Sequence, residues 1–158
     1  MNNISNYKFI FNWILINKLA VGTSPIKESD IKLLKEKKVK NILGLCSEEE
    51  IRWNDNIKDS FSCFRIILPD SNQNILPTKE ELKTAFNLLK DLVNNDITFV
   101  HCVASMERSP LLCIMFVMDN YNISLEEALD FVQRVHSNTN PTNDQLLCIT
   151  NYISNKSN

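Results

Sequence analysis

The chain has 158 residues, of which 44% are hydrophobic and 23% are charged, and its net charge at pH 7 is −2. This length and composition suit one globular domain over residues 1–158, burying roughly 70% of the unfolded surface. A charge so close to zero provides no extended positive field, so we expect no nucleic acid and no membrane as a partner, and we expect a monomer.

The cysteines are odd in number and lack the spacing of a zinc site; they are Cys46, Cys63, Cys102, Cys113 and Cys148. This usage favours reduced thiols in the cytoplasm over a disulfide framework or a metal centre. The apolar stretch from Phe9 to Ile16 resembles the hydrophobic part of a signal peptide, but Asn12 interrupts it and no cleavage motif follows. It is also too short to span a bilayer, so we expect neither export nor membrane insertion.

Short apolar runs bounded by turn residues predict the first strands. These strands are expected at residues 13–16, 19–22, 39–46 and 62–68. Between the second and the third, Ser29 is the predicted N-cap of a helix over residues 30–38. The fourth ends at Pro69 and opens onto a polar loop that continues to Pro77.

Three later helices are predicted to begin at capping boxes, in which a hydroxyl residue precedes an acidic residue or a glutamine by three positions. The pairs are Thr78 with Glu81, Ser124 with Glu127, and Thr142 with Gln145. Apolar residues recur at helical spacing after each box. The side chains expected to face the core are Leu82, Phe86, Leu89, Val93, Leu125, Ala128, Leu129, Val132, Val135, Leu146, Ile149 and Ile153.

The segment ITFVHCVASMERSP, residues 97–110, is predicted to be a strand, a loop and the start of a helix. Its apolar run suits a buried strand that ends near Cys102, and Pro110 is favoured in a first helical turn. The apolar residues 111–118 predict a buried helix. Free N–H groups at that helix start, together with Arg108, would bind a phosphate and favour the thiolate of Cys102.

His101, Cys102, five intervening residues, Arg108 and Ser109 match the HC-x5-R-S signature of the cysteine-dependent protein phosphatases. The chain resembles the small atypical dual-specificity members of that superfamily, from Trp13 to the QLL segment at Gln145. A strand before the signature and a buried helix after it make the match specific. Strands that alternate with helices predict an α/β fold with a central, mostly parallel sheet flanked by helices, and the resemblance implies the same fold, with a phosphate-binding loop between a central strand and a buried helix.

The resemblance also implies a phosphocysteine mechanism without cofactor or metal, acting on a phosphorylated protein or a small phosphomonoester. Cys102 would attack phosphorus, and Ser109 would stabilise the departing thiolate. His101 would hydrogen-bond locally and help to set the environment of the cysteine. The oxygens of the phosphate would be held by Arg108 and by the loop residues Val103, Ala104, Ser105, Met106 and Glu107.

A departing oxygen needs a proton, so a carboxylic acid is expected near the loop. Asp70 follows a strand, at a separation from Cys102 similar to that of the family's general acid. Asp55, Asp59 and Glu50 are less well placed in the sequence. His136, at a helix end, is expected to cap that helix or to lie on the surface rather than to act in catalysis.

Ser105 stands where most members of the family have glycine, which would cost about 1 kcal/mol if the loop needs a positive φ there. Glu107 is a second unusual residue, tolerable if its carboxylate faces solvent. Cys46 lies in a segment where some members carry a cysteine that forms a disulfide with the nucleophile. Equally, it could be a small buried hydrophobic side chain.

Two alternatives to the enzyme remain open from the sequence. A catalytically weak phosphate-binding module is suggested by Ser105 and Glu107, although the combination of Cys102, Arg108 and Asp70 argues against a simple binding role. A sulfur or redox enzyme of the rhodanese or arsenate-reductase kind also uses a loop cysteine before a helix. The upstream acid and the Ser-Pro that follows Arg108 favour the phosphatase.

Overall fold

A computed structural model of the chain describes residues 6–154. The strands are β1 (Phe11–Leu15), β2 (Leu19–Thr23), β3 (Asn41–Gly44), β4 (Ser62–Arg65) and β5 (Thr98–Cys102). The helices are α1 (Glu28–Glu36), α2 (Asp55–Ser60), α3 (Lys79–Asn95), α4 (Arg108–Tyr121), α5 (Leu125–Val135) and α6 (Asn143–Ser154). None of the helices in this part of the chain is long and apolar enough to cross a membrane.

The five strands form one sheet in the order β1-β2-β5-β3-β4. β1 pairs with β2 in the antiparallel sense, and every other pairing is parallel. The prediction of a central, mostly parallel sheet is therefore confirmed. β5 lies in the middle, so the cysteine at its carboxyl end opens onto the edge of the sheet where α/β folds bind ligands.

Alternate side chains of the central strands enter two different cores, because successive residues of a strand point to opposite faces. Leu43 and Val100 pack in the larger core, which α3, α4, α5 and α6 cover. Ile42 and Phe99 pack in the smaller core beneath α1 and α2. Both faces are thus covered, as the apolar runs predict.

The predicted capping boxes all form. The Thr78 hydroxyl accepts from Glu81 N at 3.1 Å, and the same geometry recurs at Ser124 and Thr142. The predicted buried helix is α4, in which every residue from Arg108 to Val117 is buried. It packs directly behind the loop that follows β5.

The structure differs from the sequence predictions in three local features. Helix α1 begins at Glu28 instead of after Ser29, because the carboxylate of Asp30 accepts from the N–H groups of Ile26 and Lys27 at 2.9 and 2.8 Å. Helix α2 was not predicted. It is a short helix whose N-cap residue is Asn54, and the Asn54 side chain accepts from Ile57 N at 3.0 Å. Strands β3 and β4 are shorter than the apolar runs that contain them.

Candidate functional site

The loop of residues 103–107 joins β5 to α4 and borders a pocket of about 350 Å³. The residues that line this pocket are Asp70, Ser71, Asn72, Cys102, Val103, Ala104, Met106, Glu107 and Arg108. The structure therefore brings the predicted nucleophile, the predicted phosphate clamp and the predicted general acid to one cavity. Val103 and Met106 are exposed at its rim, whereas Cys102, Ser105, Arg108 and Ser109 are buried.

Two carbonyl groups of the loop, those of Ser105 and Met106, bond to residues that do not line the pocket. Asn140 N donates to Met106 O at 2.7 Å, and the imidazole of His136 lies 2.8 Å from Ser105 O. Since a trans peptide directs its N–H opposite to its C=O, the N–H groups of residues 106 and 107 point towards the pocket side of the loop. This arrangement and the N-terminus of α4 create a cradle suited to phosphate oxygens.

Ser105 has φ of 56°, in the left-handed region, so the loop does require the conformation that favours glycine. Its side chain is fully buried, and its hydroxyl lies 3.0 Å from His136 Nε2 and 3.4 Å from Ser109 Oγ. Ser109 Oγ in turn lies 3.2 Å from Cys102 Sγ. The Ser109 hydroxyl thus contacts the sulfur, and the Ser105 hydroxyl lies behind that of Ser109.

The expectation that His136 is a capping or surface residue is only half correct. It is the C-cap residue of α5, but its side chain is 1% exposed and lies against the loop. Its Nδ1 is 2.8 Å from Asn12 Oδ1 on β1. Burial lowers the pKa of His136, and the hydrogen bond to the Ser105 backbone opposes that shift.

His101 lies beneath the cysteine. Trp53 Nε1 donates to His101 Nε2 at 3.0 Å, and since indole has only a donor, the ring proton must be on Nδ1. That Nδ1–H donates to Cys102 O at 3.1 Å. Complete burial lowers the pKa of His101 to about 4, so the ring is neutral at pH 7.

Arg108 is held by two carboxylates. Its Nη1 and Nη2 donate to the two oxygens of Glu50 at 3.0 and 2.8 Å, and Nη2 also donates to Asp70 Oδ2 at 3.1 Å. Hydrogen bonds from Arg108 lower the pKa of Glu50 against the opposing effect of burial. Within the described residues Nε donates to no group, which leaves one edge of the guanidinium for a phosphate once Asp70 moves aside.

Glu50 therefore has a role that its place in the sequence does not indicate. The sequence indicates only a less suitable acid, yet Glu50 fixes the orientation of Arg108 from a loop after β3. Ser47 N donates to the same carboxylate at 2.8 Å, so the chain turns back on itself at residues 47–50. Asp55 and Asp59 belong to α2 and do not line the pocket.

The remaining predicted site residues have structural contacts of their own. Gln145 makes its capping box and also donates to Glu107 Oε2 at 3.4 Å, so that carboxylate contacts α6.

Cys46 is buried two residues beyond β3, and Arg65 Nη1 donates to its carbonyl oxygen. Burial raises the pKa of Cys46, while the charges of Arg108 and Arg65 oppose that shift.

Comparison with known proteins identifies one family model, described as the dual specificity phosphatase catalytic domain, which matches residues 24–154. Human dual specificity protein phosphatase 7 is 43% identical over 42 residues, which are 27% of this chain and 10% of that protein. The match thus spans a tenth of the length of that curated relative.

Solved structures share the fold at low sequence identity. The human tyrosine phosphatase-like serine/threonine/tyrosine-interacting protein gives a TM-score of 0.79 at 18% identity, covering 94% of this chain and 98% of its own. PTPMT1, solved in complex with PI(5)P, gives 0.78 at 19% identity, covering 94% and 99%.

Proposed function

The chain belongs to the dual specificity phosphatase catalytic-domain family, and on that premise we propose that it hydrolyses phosphomonoesters through a phosphocysteine on Cys102. The observation that carries the proposal is the single cavity shared by Cys102, Arg108 and Asp70. A binding module would need the cation but would have no use for a nucleophile and a nearby acid.

In the first step, the Cys102 thiolate attacks phosphorus and the bond to the departing oxygen breaks. Arg108 and the N–H groups of the loop hold the non-bridging oxygens, where negative charge is concentrated. The phosphate displaces Asp70 from Arg108 Nη2, and the released carboxylate takes up a proton from solvent, which it then gives to the leaving oxygen. His101, neutral and hydrogen-bonded to the Cys102 carbonyl, positions the nucleophile and transfers no proton.

In the second step, water attacks the phosphocysteine and gives a proton to Asp70. The phosphorus–sulfur bond breaks with its electron pair on sulfur, and the Ser109 hydroxyl, 3.2 Å from Cys102 Sγ, stabilises the charge that returns there. Arg108 and the start of α4 supply the positive charge, so the proposed chemistry needs no metal or other cofactor.

The substrate we propose is a singly phosphorylated protein side chain, phosphotyrosine together with phosphoserine or phosphothreonine. Among the residues that line the pocket, Arg108 is the one cation, and it is accompanied by Asp70 and Glu107. A highly phosphorylated inositol would bring several more negative charges to a site without cations to receive them. We propose that the chain is a single catalytic domain that acts as a cytoplasmic monomer.

Hydrolysis of a small aryl phosphate in the presence of a metal chelator tests the proposal. We expect turnover in the wild type and none in Cys102→Ser. We expect Asp70→Asn to lower kcat by about 10²- to 10³-fold and to remove the dependence of the rate on a protonated acid. No turnover in the wild type, with phosphate or phosphotyrosine still bound, would identify a phosphate-binding module instead.

A further inference from the structure

Ser105 occupies a strained position that glycine would occupy without cost. Its φ of 56° disfavours any side chain, yet the serine is completely buried and its hydroxyl has two polar neighbours. A methylene and a hydroxyl at a left-handed position cost on the order of 1 kcal/mol relative to glycine. The contacts of this hydroxyl indicate what it contributes.

Those contacts form an unbroken line behind the nucleophile. Cys102 Sγ lies 3.2 Å from Ser109 Oγ, Ser109 Oγ lies 3.4 Å from Ser105 Oγ, and Ser105 Oγ lies 3.0 Å from His136 Nε2. The imidazole is anchored at its other nitrogen by Asn12 of β1, 2.8 Å away. Each of the four groups from the sulfur to the imidazole belongs to a residue no more than 3% exposed.

The chemistry of the two ends sets the direction of the hydrogen bonds. A backbone carbonyl only accepts, so His136 Nε2, 2.8 Å from Ser105 O, must carry a proton that it shares with the Ser105 hydroxyl. A thiolate only accepts as well, so the Ser109 hydroxyl must donate to Cys102. The Ser105 hydroxyl then donates to Ser109 Oγ, and every proton in the line points towards the sulfur.

We propose that Ser105 and His136 are positioning residues that direct the Ser109 hydroxyl at Cys102 Sγ and so favour the departure of the thiolate from phosphorus. The inference rests on the proposed function, because it concerns the second chemical step. No proton is transferred along the line. The sulfur receives the electron pair of the broken phosphorus–sulfur bond, the proton of the attacking water goes to Asp70, and the oriented hydroxyl stabilises the new charge.

The two steps should respond differently to the loss of this line. The sulfur gives up its charge in the first step and regains it in the second, so an oriented donor lowers the barrier only of the second. Ser105→Ala, which removes the hydroxyl, should therefore lower kcat by about three- to tenfold and lower KM in parallel. Since kcat/KM reports the first step, it should stay within about twofold of the wild type.

Rapid-mixing measurement of the aryl-phosphate burst, with acid quenching to count phosphocysteine, separates the steps. We expect both the burst amplitude and the trapped phosphocysteine to rise in Ser105→Ala, Ser105→Gly and His136→Leu. Ser105→Gly also relieves the backbone strain, so a loss shared by the glycine and alanine variants belongs to the hydroxyl and not to loop geometry. His136→Gln retains an N–H donor and should restore part of the rate.

Ser24→Ala is the matched control, because Ser24 is also buried but its hydroxyl has no hydrogen-bond partner among residues 6–154. An active wild type whose second step is unchanged in Ser105→Ala and Ser105→Gly would overturn the inference and leave the proposed function intact. A fall in kcat/KM equal to that in kcat would overturn it too. A wild type without Cys102-dependent turnover refutes the proposed function and the inference with it.

Discussion

At the scale of single residues, the charge of Arg108 is the feature on which the site depends. Its guanidinium is almost completely buried, and the carboxylate that satisfies it most fully, Glu50, is a third exposed. The N–H groups that Glu50 engages belong to a side chain that is only 5% exposed, so water can replace little of what Glu50 provides. Loss of this partner would leave a buried charge supported by Asp70 and, at 3.4 Å, by Leu68 O.

We expect Glu50→Gln to lower the free energy of unfolding by about 1–2 kcal/mol, because the buried charge of Arg108 loses an ion pair. We also expect kcat/KM to fall by about tenfold, because the guanidinium of Arg108 loses its fixed orientation. Urea denaturation and steady-state hydrolysis of an aryl phosphate measure the two effects. Glu49→Gln is the control, since the neighbouring Glu49 is an exposed residue with the same charge. Equal behaviour of the two variants would show that Glu50 does not orient Arg108.

Cys46 offers a second prediction at this scale. Leu45 N donates to His101 O at 2.9 Å, so the residues that precede Cys46 and Cys102 are hydrogen-bonded neighbours. We propose that peroxide converts the Cys102 thiolate to a sulfenic acid, which the Cys46 thiol then attacks with loss of water to form a disulfide. Such a bond would protect the nucleophile from irreversible oxidation.

After mild peroxide, wild type should lose two titratable thiols per chain and recover its activity with dithiothreitol. Cys46→Ala should recover much less, because its sulfenic acid has no partner and oxidises further. Cys63→Ala provides the comparison, as it removes a half-buried cysteine that does not line the pocket. Loss of a single thiol in the wild type would leave Cys46 as a buried packing residue.

The residues of the signature could be predicted because they lie together in the sequence. Cys102, Arg108 and Ser109 need only a strand, a loop and a helix to meet. Glu50 and His136 could not be found in this way, because each is far from the loop in the sequence and contacts it only in the complete fold. Their types carried no local signal, because a glutamate in an acidic run and a histidine at a helix end are common on surfaces.

At the scale of elements, capping chemistry was the most informative local pattern. Thr78, Ser124 and Thr142 begin their helices as predicted because both halves of each box lie within one turn. Ser29 does not cap its helix, because the charged side chain of Asp30 accepts from the earlier N–H groups of Ile26 and Lys27, and this contact moves the start of the helix to Glu28. A helix as short as α2 has too few residues to display a period.

The pairing of β3 with β5 places Gly44 opposite His101 and makes room for the ring of Trp53. A Cβ on Gly44 would lie 2.7 Å from Trp53 Cζ2 and 3.2 Å from His101 Nε2. We expect Gly44→Ala to displace the indole, break its hydrogen bond to His101 and lower the free energy of unfolding by about 1–3 kcal/mol.

Urea denaturation of a double-mutant cycle measures this contact. Trp53→Phe removes the part of the indole that the new Cβ would meet, so Gly44→Ala should be less costly in the Trp53→Phe background than in the wild type. Additive losses would mean that Trp53 does not meet the alanine and that the cost arises elsewhere in the strand.

At the scale of the whole molecule, the alternation of strands and helices was sufficient to predict a mostly parallel sheet covered on both faces. The order of the strands was not predicted, because nothing local to β2 or β3 shows that both pair with β5. That order makes β5 central, and it buries the residues at its carboxyl end. Burial of His101 is therefore a property of the complete fold, and it has a consequence for stability in acid.

Burial lowers the pKa of both histidines of the chain, His101 and His136. A histidine whose pKa is lowered in the folded protein stabilises it above the unfolded value of 6.5, and this stability is lost as the pH falls and the unfolded chain binds the proton. For His101, with a folded pKa of about 4, the loss extends from pH 6.5 towards pH 4. Glu50, whose pKa is lowered from 4.5, adds its loss only at more acidic pH.

We therefore expect the free energy of unfolding to fall by about 2 kcal/mol between pH 7 and pH 5 from His101 alone, with a further loss from His136. Urea denaturation at both pH values measures the change.

His101→Asn should be less stable than the wild type at pH 7, yet it should lose less stability on acidification because its side chain has no proton to gain. His136→Gln should keep the larger share of the dependence. A pH dependence in His101→Asn equal to that of the wild type would mean that His101 gains its proton over the same pH range in the folded and the unfolded protein, and that its burial does not destabilise the fold in acid.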